Sequence, residues 1–227
     1  MIQIPEVHLK SIIDAILDKV KADYISNGNN SFLYKCYNGV VSGNYNFFDQ
    51  AVKIFNRTID DPRTIDTRLL FDRERASLPT IHVTVPSEQP NSDGIGFDEG
   101  YQVNEINDPG YDIHGDPIKP TTLTTYYTRS YGSRFELIIT GSNTFEVILI
   151  FSTLKMALIN NLVSLEINGF RNPKIYGGDM KINDQLAASA YMRILTLDSF
   201  YELNVPKFDN ISIVNNINFI GTAYGIS

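Results

Sequence analysis

The chain has 227 residues, enough to bury one good hydrophobic core and to form one domain or at most two. Hydrophobic residues make up 43% and charged residues 20%, the balance of an ordinary globular protein rather than of a disordered or fibrous one. A net charge of −7 argues against a general grip on nucleic acid, which draws on clustered Lys and Arg, and the single Cys36 excludes an intrachain disulfide.

In chain order, Leu9, Ile12, Ile13, Ile16, Leu17 and Val20 recur at helical spacing, which predicts an amphipathic helix over Pro5–Tyr24 with Pro5 in its first turn and a Lys10/Asp14 surface pair. After the loop Asn27–Asn30, the aromatic stretch Phe32–Tyr37 reads as a short strand, and Phe48, Ala51, Val52 and Phe55 place a helix over Phe47–Arg57. Asp60–Ser77 is densely charged with both signs and reads as a solvated or intersubunit surface. Thr80–Val85 is a strand expected to pair with the later sheet. From Pro86 to Pro120, Gly, Pro, Asn and Asp dominate without apolar periodicity, and so long a segment inside a domain is expected to be a projecting arm. Thr122–Tyr131 is a Thr/Tyr-rich strand, turning at Gly132-Ser133 into a second strand, Arg134–Thr140.

Asn143 precedes Glu146 by three residues, a capping-box spacing, so a helix starts near Thr144 and runs to about Leu165. Its first turns are apolar nearly all round, which requires cover on more than one side, by the sheet and by another helix or a neighbouring subunit. Asn168-Gly169 stops it. Lys174–Tyr176 opens a strand that Gly177-Gly178-Asp179 bends, and Ala190–Val205 alternates as a long strand ended by Pro206, with Leu195, Leu197, Ser199 and Tyr201 on one face and Asp198, Phe200 and Glu202 on the other. The tail Phe208–Ser227 is apolar and uncharged apart from Asp209, and is expected to dock on another surface.

The order strand, Gly141-Ser-Asn, apolar helix, Asn168-Gly-Phe, Lys174-Ile-Tyr-Gly-Gly-Asp179 and Tyr191-Met-Arg-Ile-Leu-Thr-Leu-Asp198 resembles the tail-terminator, tail-completion and neck (head-tail connector) proteins of tailed bacteriophages. The resemblance covers Arg134–Val205, about a third of the chain. It implies a small α+β subunit with a mixed, mainly antiparallel sheet flanked by helices, closing into a homo-oligomeric ring at the tail end or the head-tail junction of the virion. The chain departs from the small members of that family in Pro86–Pro120 and in the C-terminal tail. The whole is expected to be a single α+β domain over 1–227, with 86–133 as a projecting arm and 207–227 as a docking tail. Its partners would be copies of itself and other virion proteins. DNA would pass through the acidic ring without specific binding. Neither a signal peptide nor a membrane span is expected, so assembly would take place in the host cytoplasm.

Ile148, Phe151, Tyr126, Tyr127, Tyr131, Ile217 and Phe219 are the candidate interface residues, being apolar or aromatic groups on the helix, the arm and the tail. Asp112, His114 and Asp116, at alternate positions of an acidic Gly-rich loop, are weak candidates for a Ca²⁺ site, but the EF-hand spacing is absent, and no cofactor is expected. His8, His82 and His114 lie far apart, and no Ser or Cys sits in a nucleophile elbow, so no catalytic residues are expected and the chain is not read as an enzyme. Gly94-Ile-Gly96 and Gly177-Gly178 read as turns, since neither opens a helix that would hold phosphate. The reading in a different class is a carbohydrate-binding or adhesin-type virion module that uses the Tyr-rich arm and the acidic loop.

Overall fold

The computed structural model of the chain describes residues 4–58, 61–69, 78–90, 98–103, 123–179 and 191–206. They fall into two compact units, one within 1–96 and 129–203 and the other within 97–128 and 204–227. The helices and most of the sheet belong to the first. Helix α1 is Pro5–Asn27, followed by a 3-10 turn at Gly28–Asn30, α2 at Phe32–Tyr37, a hairpin of β1 (Val41–Ser42) with β2 (Tyr45–Asn46), and α3 at Phe47–Phe55. Then come β3 (Asp66–Leu69), β4 (Thr80–Pro90), β5 (Asp98–Val103), β6 (Leu123–Gly141), α4 (Thr144–Asn160), α5 (Leu162–Ile167), β7 (Arg171–Asp179) and β8 (Tyr191–Pro206). The main sheet has the order β3-β4-β6-β8-β7; β3 is parallel to β4, and the β4–β6 and β7–β8 ladders are antiparallel. The class is therefore α+β with a mixed sheet flanked by helices. In the second unit β5 pairs antiparallel with the first residues of β6, from Asp98↔Thr128 to Val103↔Leu123.

One core joins helices to sheet. Ile81 and Val83 of β4, Phe135, Leu137 and Ile139 of β6, and Leu195, Leu197 and Tyr201 of β8 lie in one cluster with Leu9, Ile13 and Ile16 of α1 and Leu149, Ile150, Leu154 and Leu158 of α4. Each large apolar side chain so buried contributes about 1.5–3 kcal/mol, so this layer is the main source of stability. Most of the apolar surface of α4 is covered within the chain, by β7 on one side and by α1 and α3 on others, while Phe145 and Ile159 near its two ends stay exposed. Tyr37 fastens α2 to it, sharing a hydrogen bond with Thr153 Oγ1 at 2.8 Å and donating to the Leu149 carbonyl at 3.3 Å.

Four sequence expectations change. Phe32–Tyr37 is a helix and not a strand: the Ser31 hydroxyl accepts from Tyr34 N–H, Asp23 accepts from Phe32 N–H, and Leu33 and Tyr37, one turn apart, are both buried. Gly132-Ser133 is not a turn, because β6 runs unbroken through it with Gly132 opposite Gln89. Gly177-Gly178 is not a turn either; both lie in the β7–β8 ladder, opposite Leu195 and Ile194. The helix expected to reach Leu165 ends at Asn160, where the Asn161 side-chain amide donates to the Ala157 carbonyl at 2.6 Å and a separate short helix begins. The Pro86–Pro120 segment opens with the last residues of β4 and contains β5; the rest of it, like the tail after Pro206, lies outside the described residues.

Candidate functional site

Strand alternation sends the odd-numbered residues of β8 to the helices and the even-numbered ones to the opposite face of the sheet. There the ladders align Arg134 and Glu136 of β6, Asp198, Phe200 and Glu202 of β8, and Arg171, Lys174 and Tyr176 of β7. Asp198 is the centre of this group. Its carboxylate accepts from Arg134 Nε at 3.0 Å and Nη2 at 3.4 Å, and the Tyr176 hydroxyl donates to the same group. The Arg134 guanidinium also lies 6.0 Å from the Tyr176 ring centroid. Partial burial opposes the charge on Asp198, but the hydrogen bonds from Arg134 and Tyr176 outweigh it and hold its pKa below the ordinary value. The same hydrogen bond to Asp198 raises the pKa of Tyr176, keeping the phenol protonated as a donor.

Beside this network the Phe200 ring is 36% exposed and lies over Gly132, where an added Cβ would stand 3.1 Å from a ring carbon. Glycine is used here because an aromatic ring occupies the space of a side chain. Arg171 pairs with Glu202 at 2.8 Å. Ser87, Gln89, Arg134, Asn172, Asp198 and Phe200 bound a shallow hollow of about 370 Å³. The patch therefore offers exposed aromatic surface, fixed ion pairs and donors on a rigid sheet. It can recognise a partner surface or a polar ligand.

Of the residues singled out from sequence, Phe151 is buried within the chain against Gly177, with the Arg193 guanidinium 5.2 Å from its ring centroid, and Ile148 is half-buried on α4. Tyr131 is half-buried and stacks on Tyr201 with ring centroids 6.0 Å apart. Tyr126 and Tyr127 lie in β6, opposite Gly100 and Glu99. Asp112, His114, Asp116, Ile217 and Phe219 lie outside the described residues, as do Gly94 and Gly96. His8 stacks on Phe170 at 5.9 Å, and His82 is buried in β4. Among the described residues no group of three or more His, Cys, Asp or Glu converges as a metal site would, and no helix is long and apolar enough to cross a membrane.

Sequence reasoning missed the Arg134–Asp198–Tyr176 network, although the alternation of β8 already placed Asp198 and Phe200 on one face. The missing information was register, since only the ladder brings residues 134, 176 and 198 together. No protein-family model and no curated protein sequence matches this chain.

Proposed function

We propose that this chain is a structural subunit of a tailed-bacteriophage virion, assembling with copies of itself into a ring at the tail end or the head-tail junction. The observation that carries the reading is the exposed aromatic and ion-paired patch around Asp198, whose Arg134, Arg171, Tyr176, Phe200 and Glu202 all come from the segment whose order of elements resembles tail-terminator and neck proteins. Aromatic and Arg side chains are the residues that anchor protein contacts, and a rigid sheet presents them without an ordering cost. A head-to-tail contact through this face closes into a ring when the rotation between copies allows. The net charge of −7 suits a conduit through which DNA slides without being held. The test is imaging and protein analysis of purified particles. Rings in negative stain and the chain in the tail or neck support the reading, and its absence from particles overturns it.

The hollow beside Phe200 favours one second reading, a saccharide site in which the ring is the platform and Asp198, Arg134 and Asn172 bind hydroxyls. Glycan-array binding lost in Phe200→Ala, with no ring formed under any condition, would favour it over assembly.

A further inference from the structure

Away from that face, α1, α2 and the end of α4 enclose a cleft of about 740 Å³. Ile16, Val20, Phe32, Met156 and Ala157 give it apolar walls, and the exposed Lys19 and Lys35 also line it. Neither lysine is hydrogen-bonded or ion-paired among the described residues. Asp23, the carboxylate in the cleft, is engaged by Phe32 N–H and by the Asn27 amide. Both lysines bear electrostatically on Asp23, so the cleft holds two cations against one carboxylate. From Ile159 in its lining, Val163 and Ile167 follow at four-residue spacing onto α5, and the three are 47%, 68% and 81% exposed. Glu166 is exposed beside them and is also outside any ion pair among the described residues.

Exposed apolar side chains grouped beside an apolar cleft mark a contact site. Here both halves of a complementary pair are on the same chain: an apolar cleft with two lysines against one carboxylate, and a set of exposed apolar residues with the unpaired Glu166 beginning at the cleft wall. We propose that they form a two-fold contact between two copies, the Val163–Ile167 ridge of each entering the cleft of the other and Glu166 meeting Lys19 and Lys35. Such an isologous contact needs a patch complementary to itself, as this one is. The proposal rests on the assembly reading only in taking a second copy as the occupant, and it uses a different surface.

The experiment is sedimentation equilibrium and mass photometry of the full chain from nanomolar to high micromolar concentration. A reversible dimer is expected. Val163→Lys and Ile167→Lys, at exposed positions that leave the fold intact by circular dichroism, should weaken it by about tenfold or more, because a further cation would enter an apolar cleft that already holds Lys19 and Lys35. The Lys19→Glu/Lys35→Glu variant and Glu166→Lys should each weaken self-association, while an equimolar mixture of the two should pair again, since both contacts of the mixed dimer then join opposite charges. Alkylation of Cys36, which lines the cleft, should slow as the dimer forms. A chain that stays monomeric throughout, a dimer indifferent to Val163→Lys and Ile167→Lys, or charge variants that do not recover on mixing would overturn the proposal. Rings formed by such a monomer would leave the assembly reading standing, and a dimer that survives the loss of rings in Arg134→Ala/Tyr176→Ala would separate the two the other way.

Discussion

At Glu146 a single carboxylate closes the start of α4 and ties it to a distant segment. One oxygen accepts from Ser142 N–H at 3.0 Å and Ser142 O–H at 2.8 Å, and the other from Arg63 at 3.0 Å and Arg57 at 3.5 Å, residues 83 and 89 positions earlier. Its side chain is only 3% exposed. Burial works against the charge, but the Ser142 donors and the two guanidinium groups prevail and lower its pKa from the ordinary 4.5. A carboxyl whose folded pKa is depressed contributes stability that is full above the unfolded value and is lost as pH falls through the folded one. Glu146→Gln is therefore expected to cost about 2–3 kcal/mol at neutral pH, the worth of charge-assisted hydrogen bonds, and to flatten the loss of stability below pH 4.5. Denaturant melts at pH 7 and pH 3 check both; equal acid sensitivity in the two proteins would refute the assignment. The capping spacing Asn143-x-x-Glu146 was legible in the sequence, and Asn143 does accept from Glu146 N–H at 2.9 Å. The destination of the carboxylate was not. It turns to Ser142 and to arginines that only the fold brings near, and the charged run holding Arg63 looked like a solvated surface.

Among the elements, the packing of α4 on β7 depends on what one strand position lacks. A Cβ on Gly177 would clash with the Ile194 carbonyl and stand 2.9 Å from a Phe151 ring carbon, whereas one on Gly178 would meet nothing within 4 Å. Backbone and a buried ring cannot yield as a flexible side chain does. Gly177→Ala is thus expected to destabilise by about 1–3 kcal/mol and Gly178→Ala to be nearly neutral, a contrast that thermal melts of the two variants measure. Equal effects would show that the glycines serve the strand rather than the helix. From sequence both residues read as a turn, since glycine pairs usually mark one. Their role here is close approach, which is a property of the neighbours. In the same way Phe32–Tyr37, aromatic enough for a strand, becomes α2 because Ser31 and Asp23 satisfy its first N–H groups and α1 and α4 accept Leu33 and Tyr37.

For the molecule as a whole, stability and assembly are expected to separate. The outer patch is held by exposed pairs, which contribute little to folding, so Arg134→Ala/Tyr176→Ala should shift stability by less than about 1 kcal/mol while reducing incorporation into particles. Chemical denaturation and quantitation in purified particles check the two halves, and a variant that assembles normally would remove the patch from the contact. The sequence by itself determined the long helices α1 and α4, the strands β4 and β8 and the two faces of β8, because periodicity and caps are local and burial follows from them. Tertiary structure alone decided the strand order, the cover of most of α4 by its own chain, the continuity of β6 through Gly132 and the meeting of Arg134, Tyr176 and Asp198. Those depend on register and on contacts between residues far apart in the chain, and no local pattern encodes which distant partner a side chain will meet.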